Sequence, residues 1–113
     1  MSDDLLRSLD DTGRETAAWF VAAARNLGLP LVVVSGRRSA AQQAALSAGA
    51  GLPKASASTS RHVAGRAFDL GFSGYRWDEV PPEYWRWLGE AWESLGGRWG
   101  GRFSTYDPVH FDW

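Results

Sequence analysis

The run Ala67-Phe68-Asp69-Leu70-Gly71-Phe72 alternates between two kinds of side chain. Phe68, Leu70 and Phe72 fall on one side of an extended backbone, and Ala67, Asp69 and Gly71 fall on the other. A period of two specifies a strand with one apolar face, and here the opposite face carries a carboxylate. A second run, Leu31-Val32-Val33-Val34, is wholly apolar and rich in β-branched residues, which reads as a buried strand. Near the C-terminus Val109 and Phe111 alternate with His110 and Asp112, a third strand with two polar groups on one face. The expected strands are therefore 31–34, 66–72 and 109–112.

Between them the spacing changes to that of helices. Ser2 followed by Asp3 and Asp4 offers a hydroxyl cap and carboxylates at the positive end of a helix dipole. Leu5, Leu6 and Leu9 start an apolar stripe. Gly13 interrupts it, and Ala17, Phe20, Val21, Ala24 and Leu27 resume it, which predicts one long or broken helix ending before Pro30. Ser39 caps a second helix through Gln42, Gln43 and Leu46 to Gly49, followed by a Gly/Ala/Ser-rich loop over 50–59. Pro81-Pro82-Glu83 opens a third helix, in which Tyr84, Trp85, Leu88, Trp92 and Leu95 keep helical spacing until Gly96-Gly97 stops it. Residues 98–103 read as a glycine-aromatic turn. Strands and helices in this mixture make an α+β chain, and 113 residues predict one domain, 1–113.

Composition narrows the function. The net charge of −1 gives no field for nucleic acid. No cysteine is present, which excludes disulfides, thiolate metal sites and cysteine nucleophiles. The N-terminus lacks the basic start and apolar run of a signal peptide, and no stretch has the length of a membrane span. The expectation is synthesis in the cytoplasm without a leader. Seven tryptophans either fill a small core or line a groove.

The chain has two histidines, His62 and His110. Gly65 lets the backbone bend between His62 and the strand that carries Asp69, so these two can meet despite their separation in sequence. Two imidazoles and a carboxylate form a three-ligand zinc site with a fourth position open, the catalytic rather than the structural arrangement. A zinc peptidase needs in addition a base and a group for the oxyanion. Asp107, three residues before His110, is placed to be the base. Arg38, in the turn after the first strand, is a fixed cation for the carbonyl oxygen, and Ser60 is a hydrogen-bonding candidate beside His62. Asp107 also suits the turn before Pro108, and Arg37 and Arg38 also suit a solvated surface turn.

These residues lie in a recognisable pattern. Ser60-x-His62-x-x-Gly65-x-Ala67-x-Asp69-Leu70 resembles the signature of bacterial and phage peptidoglycan peptidases. These are the zinc D-alanyl-D-alanine carboxypeptidases related to vancomycin-resistance enzymes and the L-alanyl-D-glutamate endopeptidases of phage endolysins, the LAS-type metallopeptidases. Ser35-Gly36-Arg37-Arg38-Ser39 with Gln43 resembles a second element of that family, and Trp99-Gly100-Gly101 with Asp107-x-x-His110-Phe111 a third.

The resemblance implies a small antiparallel sheet packed with helices, the hedgehog-like D-Ala-D-Ala peptidase fold. It implies one zinc ion on His62, Asp69 and His110, Asp107 as catalytic base and Arg38 at the substrate carbonyl, with Ser60, Arg37 and Gln43 as substrate-binding residues. Arg37 stands where the family has an aromatic residue, which leaves open whether Arg37 or Arg38 faces the substrate. The implied substrate is the peptidoglycan stem peptide, cut between L-alanine and D-glutamate. The alternatives are a D-alanyl-D-alanine carboxypeptidase on the same site and a catalytically silent peptidoglycan-binding module. A monomer is expected, acting on the cell wall after release or delivery, or on recycled peptides in the cytoplasm.

Overall fold

A computed structural model describes residues 4–37 and 61–113. Helix α1 (Asp4–Arg7) and helix α2 (Arg14–Asn26) precede strand β1 (Leu31–Ser35). After strand β2 (Ala67–Phe72) come a 3-10 turn (Trp77–Glu79), helix α3 (Pro82–Ser94), strand β3 (Arg98–Trp99) and strand β4 (His110–Asp112). The expected helix from Ser39 to Gly49 and the loop over 50–59 lie outside the described residues.

The four strands form one antiparallel sheet in the order β1-β2-β4-β3. Its centre is the alternating run read from the sequence. Phe68 pairs with Phe111 and Asp69 with His110, so the apolar residues of β2 and β4 share one face and the polar ones the other. Between β1 and β2 the register slips. Val33 faces Leu70 but Ser35 faces Asp69, so an extra residue on β1 makes a bulge beside Asp69. The two-residue strand β3 stands where the sequence suggested only a turn. Arg98 and Trp99 are held there by pairing with Asp112 and Phe111 rather than by their own propensity.

The first apolar stripe does break. Asp10 Oδ1 accepts hydrogen bonds from Thr12 N at 2.8 Å and Thr12 Oγ1 at 2.6 Å, a local turn that competes with helix. Past the break, α2 buries Ala17, Phe20, Val21 and Ala24, while α3 buries Trp85, Leu88, Gly89 and Trp92. These faces meet Phe68, Leu70, Phe72 and Phe111 in one core. Phe68 stacks on Phe111 at 5.5 Å and meets Trp92 edge-on at 5.2 Å, and Phe20 closes the group at 5.1 Å from Trp92. Each of these fully buried side chains contributes roughly 1.5–3 kcal/mol of hydrophobic stabilisation.

Only some of the tryptophans fill the core. Trp85, Trp92 and Trp99 are buried, whereas Trp19, Trp77 and Trp87 are exposed. Each buried indole donates to a backbone carbonyl: Trp85 to Trp77 at 3.0 Å, Trp92 to Asp112 at 2.9 Å, and Trp99 to Pro108 at 2.8 Å. The last two tie α3 and β3 to the segment that carries His110 and leave no indole N–H buried without an acceptor.

Candidate metal centre

His62 sits in the turn at 61–65 that leads into β2 and is 4% exposed. The turn closes on Gly65, whose φ of 74° lies in the left-handed region that favours glycine. Arg37 fills the space below it. Its Nε donates to Ser8 O at 3.0 Å and its Nη2 to Ala64 O at 3.5 Å, so this guanidinium braces the turn against the residues after α1. His62 Nδ1 lies 2.8 Å from the Gly36 carbonyl. A carbonyl only accepts, so Nδ1 carries a proton and Nε2 is the nitrogen that faces Asp69.

Asp69 lies on β2 between the two imidazoles. Its Oδ1 is 3.3 Å from His62 Nε2 and 3.4 Å from His110 Nδ1. Its Oδ2 accepts the Ser35 hydroxyl at 2.7 Å, a bond the bulge in β1 makes possible. His110 opens β4, and its Nε2 lies 2.6 Å from Asp112 Oδ2. An ionised carboxylate only accepts, so Nε2 carries a proton and Nδ1 turns toward Asp69. Asp112 is 1% exposed. Arg98 holds it through two bonds of 2.7 and 3.0 Å, and Arg61 Nε lies 3.7 Å away.

The electrostatics follow from these contacts. Burial pushes the Asp69 carboxyl up, but hydrogen bonds from His110 and His62 outweigh it and hold the group far below the usual carboxylate range. Burial pulls His110 down, yet its bonds to Asp112 and Asp69 more than offset this and raise it to about 9. Burial likewise opposes ionisation of Asp112, and His110 and Arg98 overcome it. With no metal bound, a proton on His110 balances the Asp69 carboxylate. A divalent cation at the same point does so in its place and releases protons.

Donor atoms of His62, Asp69 and His110 all lie within 4.8 Å of one another. A tetrahedral ion with bonds of 2.0–2.1 Å separates its ligand atoms by about 3.3–3.4 Å. The two nitrogen-to-oxygen separations here, 3.3 and 3.4 Å, are of that size. Two imidazole nitrogens and one carboxylate oxygen are donors that zinc accepts, and three of them leave a position open. The donor set fits zinc.

The remaining candidates are placed as follows. Asp107 occupies the turn before β4, where its carbonyl accepts His110 N at 3.1 Å and its own N–H donates to Gly100 O at 3.0 Å. Gly100 has to be glycine, because a Cβ there would fall 2.1 Å from Asp107 O. Trp99 holds the same turn through Pro108. The Trp-Gly-Gly element is thus the mould for the segment 107–110. Arg38, Gln43 and Ser60 lie outside the described residues. Sequence reasoning left Asp112, Arg98 and Arg61 without a role at the site. Alternation placed Asp112 on the face of His110, but nothing in the sequence joins it to two distant arginines.

Comparison with known proteins gives a consistent picture. No curated protein matches the chain significantly. Among solved structures it is similar to the L-Ala D-Glu endopeptidase ChiX of Serratia marcescens, with a TM-score of 0.67 and 24% identity over 98% of this chain and 84% of ChiX. It is similar also to a mutant of the vancomycin-resistance D,D-pentapeptidase VanY in complex with Zn(II), with a TM-score of 0.65 and 21% identity over 93% of this chain and 72% of that one. The LD-carboxypeptidase LdcB aligns with a TM-score of 0.67 and 20% identity over 93% of this chain and 58% of LdcB. These likenesses establish the α+β fold of LAS-type peptidases. A profile of the D-alanyl-D-alanine carboxypeptidase family matches residues 54–113, the half of the chain in which both imidazoles and Asp69 stand. On that match, the chain belongs to the D-alanyl-D-alanine carboxypeptidase family of peptidases.

Proposed function

We propose that the protein is a zinc-dependent peptidase of peptidoglycan stem peptides, acting as one domain over residues 1–113 and cutting between L-alanine and D-glutamate. The observation that carries this reading is the convergence of His62, Asp69 and His110, with each imidazole nitrogen at 3.3–3.4 Å from the same Asp69 oxygen, the spacing one tetrahedral ion sets. Zinc, when bound, supplies a Lewis acid for the amide carbonyl and lowers the pKa of a water molecule. His62, Asp69 and His110 hold the ion, and the second nitrogen of each imidazole is already committed to its own acceptor.

Asp107 accepts the proton of the attacking water and passes it to the departing amine. Its place three residues before His110, in a turn fixed by Gly100 and Trp99, supports that role. Arg38 stabilises the carbonyl oxygen as negative charge develops on it. Arg37, engaged with Ser8 and Ala64, is the weaker candidate for the substrate. Ser60 and Gln43 complete the substrate contacts.

An aspartate in the base position, together with Trp99-Gly100-Gly101 and the likeness to ChiX, supports the endopeptidase specificity. The second reading is removal of terminal D-alanine at the same site. The family's description and the likeness to VanYB in complex with D-alanine-D-alanine favour it.

The test uses wild type and Asp107→Ala, each assayed for bound zinc and incubated with purified peptidoglycan, with products read by mass spectrometry. Both should bind one zinc ion. Only the wild type should release fragments with a new D-glutamate amine, and the variant should be slower by roughly 10²–10⁴-fold. Loss of terminal D-alanine moves the assignment to the carboxypeptidase. Zinc binding without cleavage by either protein leaves a binding module, and absence of zinc overturns the reading.

A further inference from the structure

Asp112 does more than neutralise His110. Its carboxylate is buried at 1% exposure, a costly place for a charge unless every lone pair is engaged. Oδ1 takes Arg98 Nε at 2.7 Å and faces Arg61 Nε at 3.7 Å, while Oδ2 takes Arg98 Nη2 at 3.0 Å and His110 Nε2 at 2.6 Å. Arg61 immediately precedes His62 and also donates to the Trp113 carbonyl at 2.8 Å. The backbone of Asp112 is fixed as well, since its carbonyl accepts Trp92 Nε1 at 2.9 Å and its strand position pairs with Ala67 and Arg98. One carboxylate therefore touches the ring of one imidazole and the residue beside the other.

We infer that Asp112, clamped by Arg98 and Arg61, is a positioning residue that sets the ring orientation of His110 and ties the turn bearing His62 to β4, so that both imidazoles are preset for the metal. The inference rests on the metal-site reading above and deepens it. A residue of this kind never touches substrate. It acts by ensuring that Nδ1 rather than Nε2 of His110 faces Asp69 and by limiting rotation of the ring. Arg98 is half exposed but makes two parallel bonds to one carboxylate, which fixes the plane of the carboxylate as well as its place.

The experiment compares zinc affinity, by competition with a chromophoric chelator, for wild type, Asp112→Asn, Asp112→Ala and Arg98→Ala. Each is checked for folding by circular dichroism, and each is loaded with cobalt for its visible ligand-field spectrum. Asp112→Asn keeps the shape and one acceptor oxygen, so it remains folded and should lose about 10-fold in zinc affinity. Asp112→Ala should lose up to about 100-fold, and Arg98→Ala less than either. The cobalt spectrum of both Asp112 variants should shift, because the orientation of one ligand ring has changed. A merely structural role would lower stability while leaving the zinc dissociation constant and the cobalt spectrum of the folded protein as they were. Folded Asp112→Asn with wild-type zinc affinity and an unchanged spectrum would overturn the positioning role alone. A wild type that binds no zinc would overturn this role and the metal-site reading together.

Discussion

His62 and His110 present the same kind of nitrogen to Asp69, at 3.3 and 3.4 Å, but different means hold them there. His62 is fixed by a backbone carbonyl, that of Gly36, and by a turn that closes on Gly65 over Arg37. His110 is fixed by a side chain, the buried carboxylate of Asp112, with Arg98 and Arg61 behind it. A backbone carbonyl needs no particular side chain, so the His62 arm is exposed to changes of backbone path, such as any residue other than glycine at position 36. A carboxylate held by two arginines can be lost by substitution at any of three positions. The comparison teaches that one site can rest on geometry on one side and on charge on the other.

The largest effects should come from removing the rings themselves. His62→Ala and His110→Ala each delete one of the three proposed ligands, and zinc affinity should fall by roughly 10³-fold in both. Isothermal titration of the metal-free proteins reads this directly. Unequal losses, with one variant near wild type, would show that the corresponding ring is not a ligand and would remove that arm from the comparison.

Backbone substitutions should separate the arms next. A Cβ at Gly36 would fall 2.3 Å from Leu5 O and displace the carbonyl that holds His62, whereas a Cβ at Gly100 would fall 2.1 Å from Asp107 O and displace the turn before His110. Gly36→Ala and Gly100→Ala should each cost about 1–3 kcal/mol of stability in urea unfolding. Gly36→Ala should also weaken zinc binding, because it moves the acceptor of His62, whereas Gly100→Ala should depress hydrolysis in the zinc-loaded protein, because it moves Asp107. Equal effects on hydrolysis would mean that the two arms are not mechanically separate.

The smallest effect belongs to the carboxylate between them. Ser35→Ala removes the hydrogen bond to Asp69 Oδ2 and should cost about 1 kcal/mol, with zinc still bound. A loss of zinc on this substitution would show that Asp69 depends on β1 as strongly as His110 depends on Asp112.

Much of the fold was legible because local pattern and tertiary role agree. The β-branched run became β1, and the alternating run became the central strand with Asp69 on the predicted face. Most of the apolar stripes of α2 and α3 became the buried faces of helices, but Leu27, Tyr84 and Leu95, at the helix ends, are exposed. The site was legible through residue type, because two histidines and one carboxylate inside an apolar run are few enough to combine by hand. What escaped depends on partners far along the chain. Strand β3 has glycines before and after it and exists because Phe111 and Asp112 pair with it. The bulge that turns Ser35 toward Asp69 has no marker in a run of three valines. Asp112 was visible as a polar position in the last strand. That it is buried and clamped by Arg61 and Arg98 follows only from the sheet register, which no local spacing encodes.

The strand order β1-β2-β4-β3 also governs how quickly such a molecule can assemble. Leu31 pairs with Phe72 and Ala67 with Asp112, so both central ladders join segments separated by long stretches of chain, and only β3 and β4 are near neighbours. Closing each loop costs entropy before any ladder bond repays it. The isolated helices α2 and α3 can form on the microsecond scale, but the sheet, and the three side chains that meet across it, must await those closures on a scale of roughly milliseconds or longer. The cluster of His62, Asp69 and His110 is therefore among the last features of the molecule to come together. A cation arriving there would slow the escape of a finished fold rather than hasten its formation.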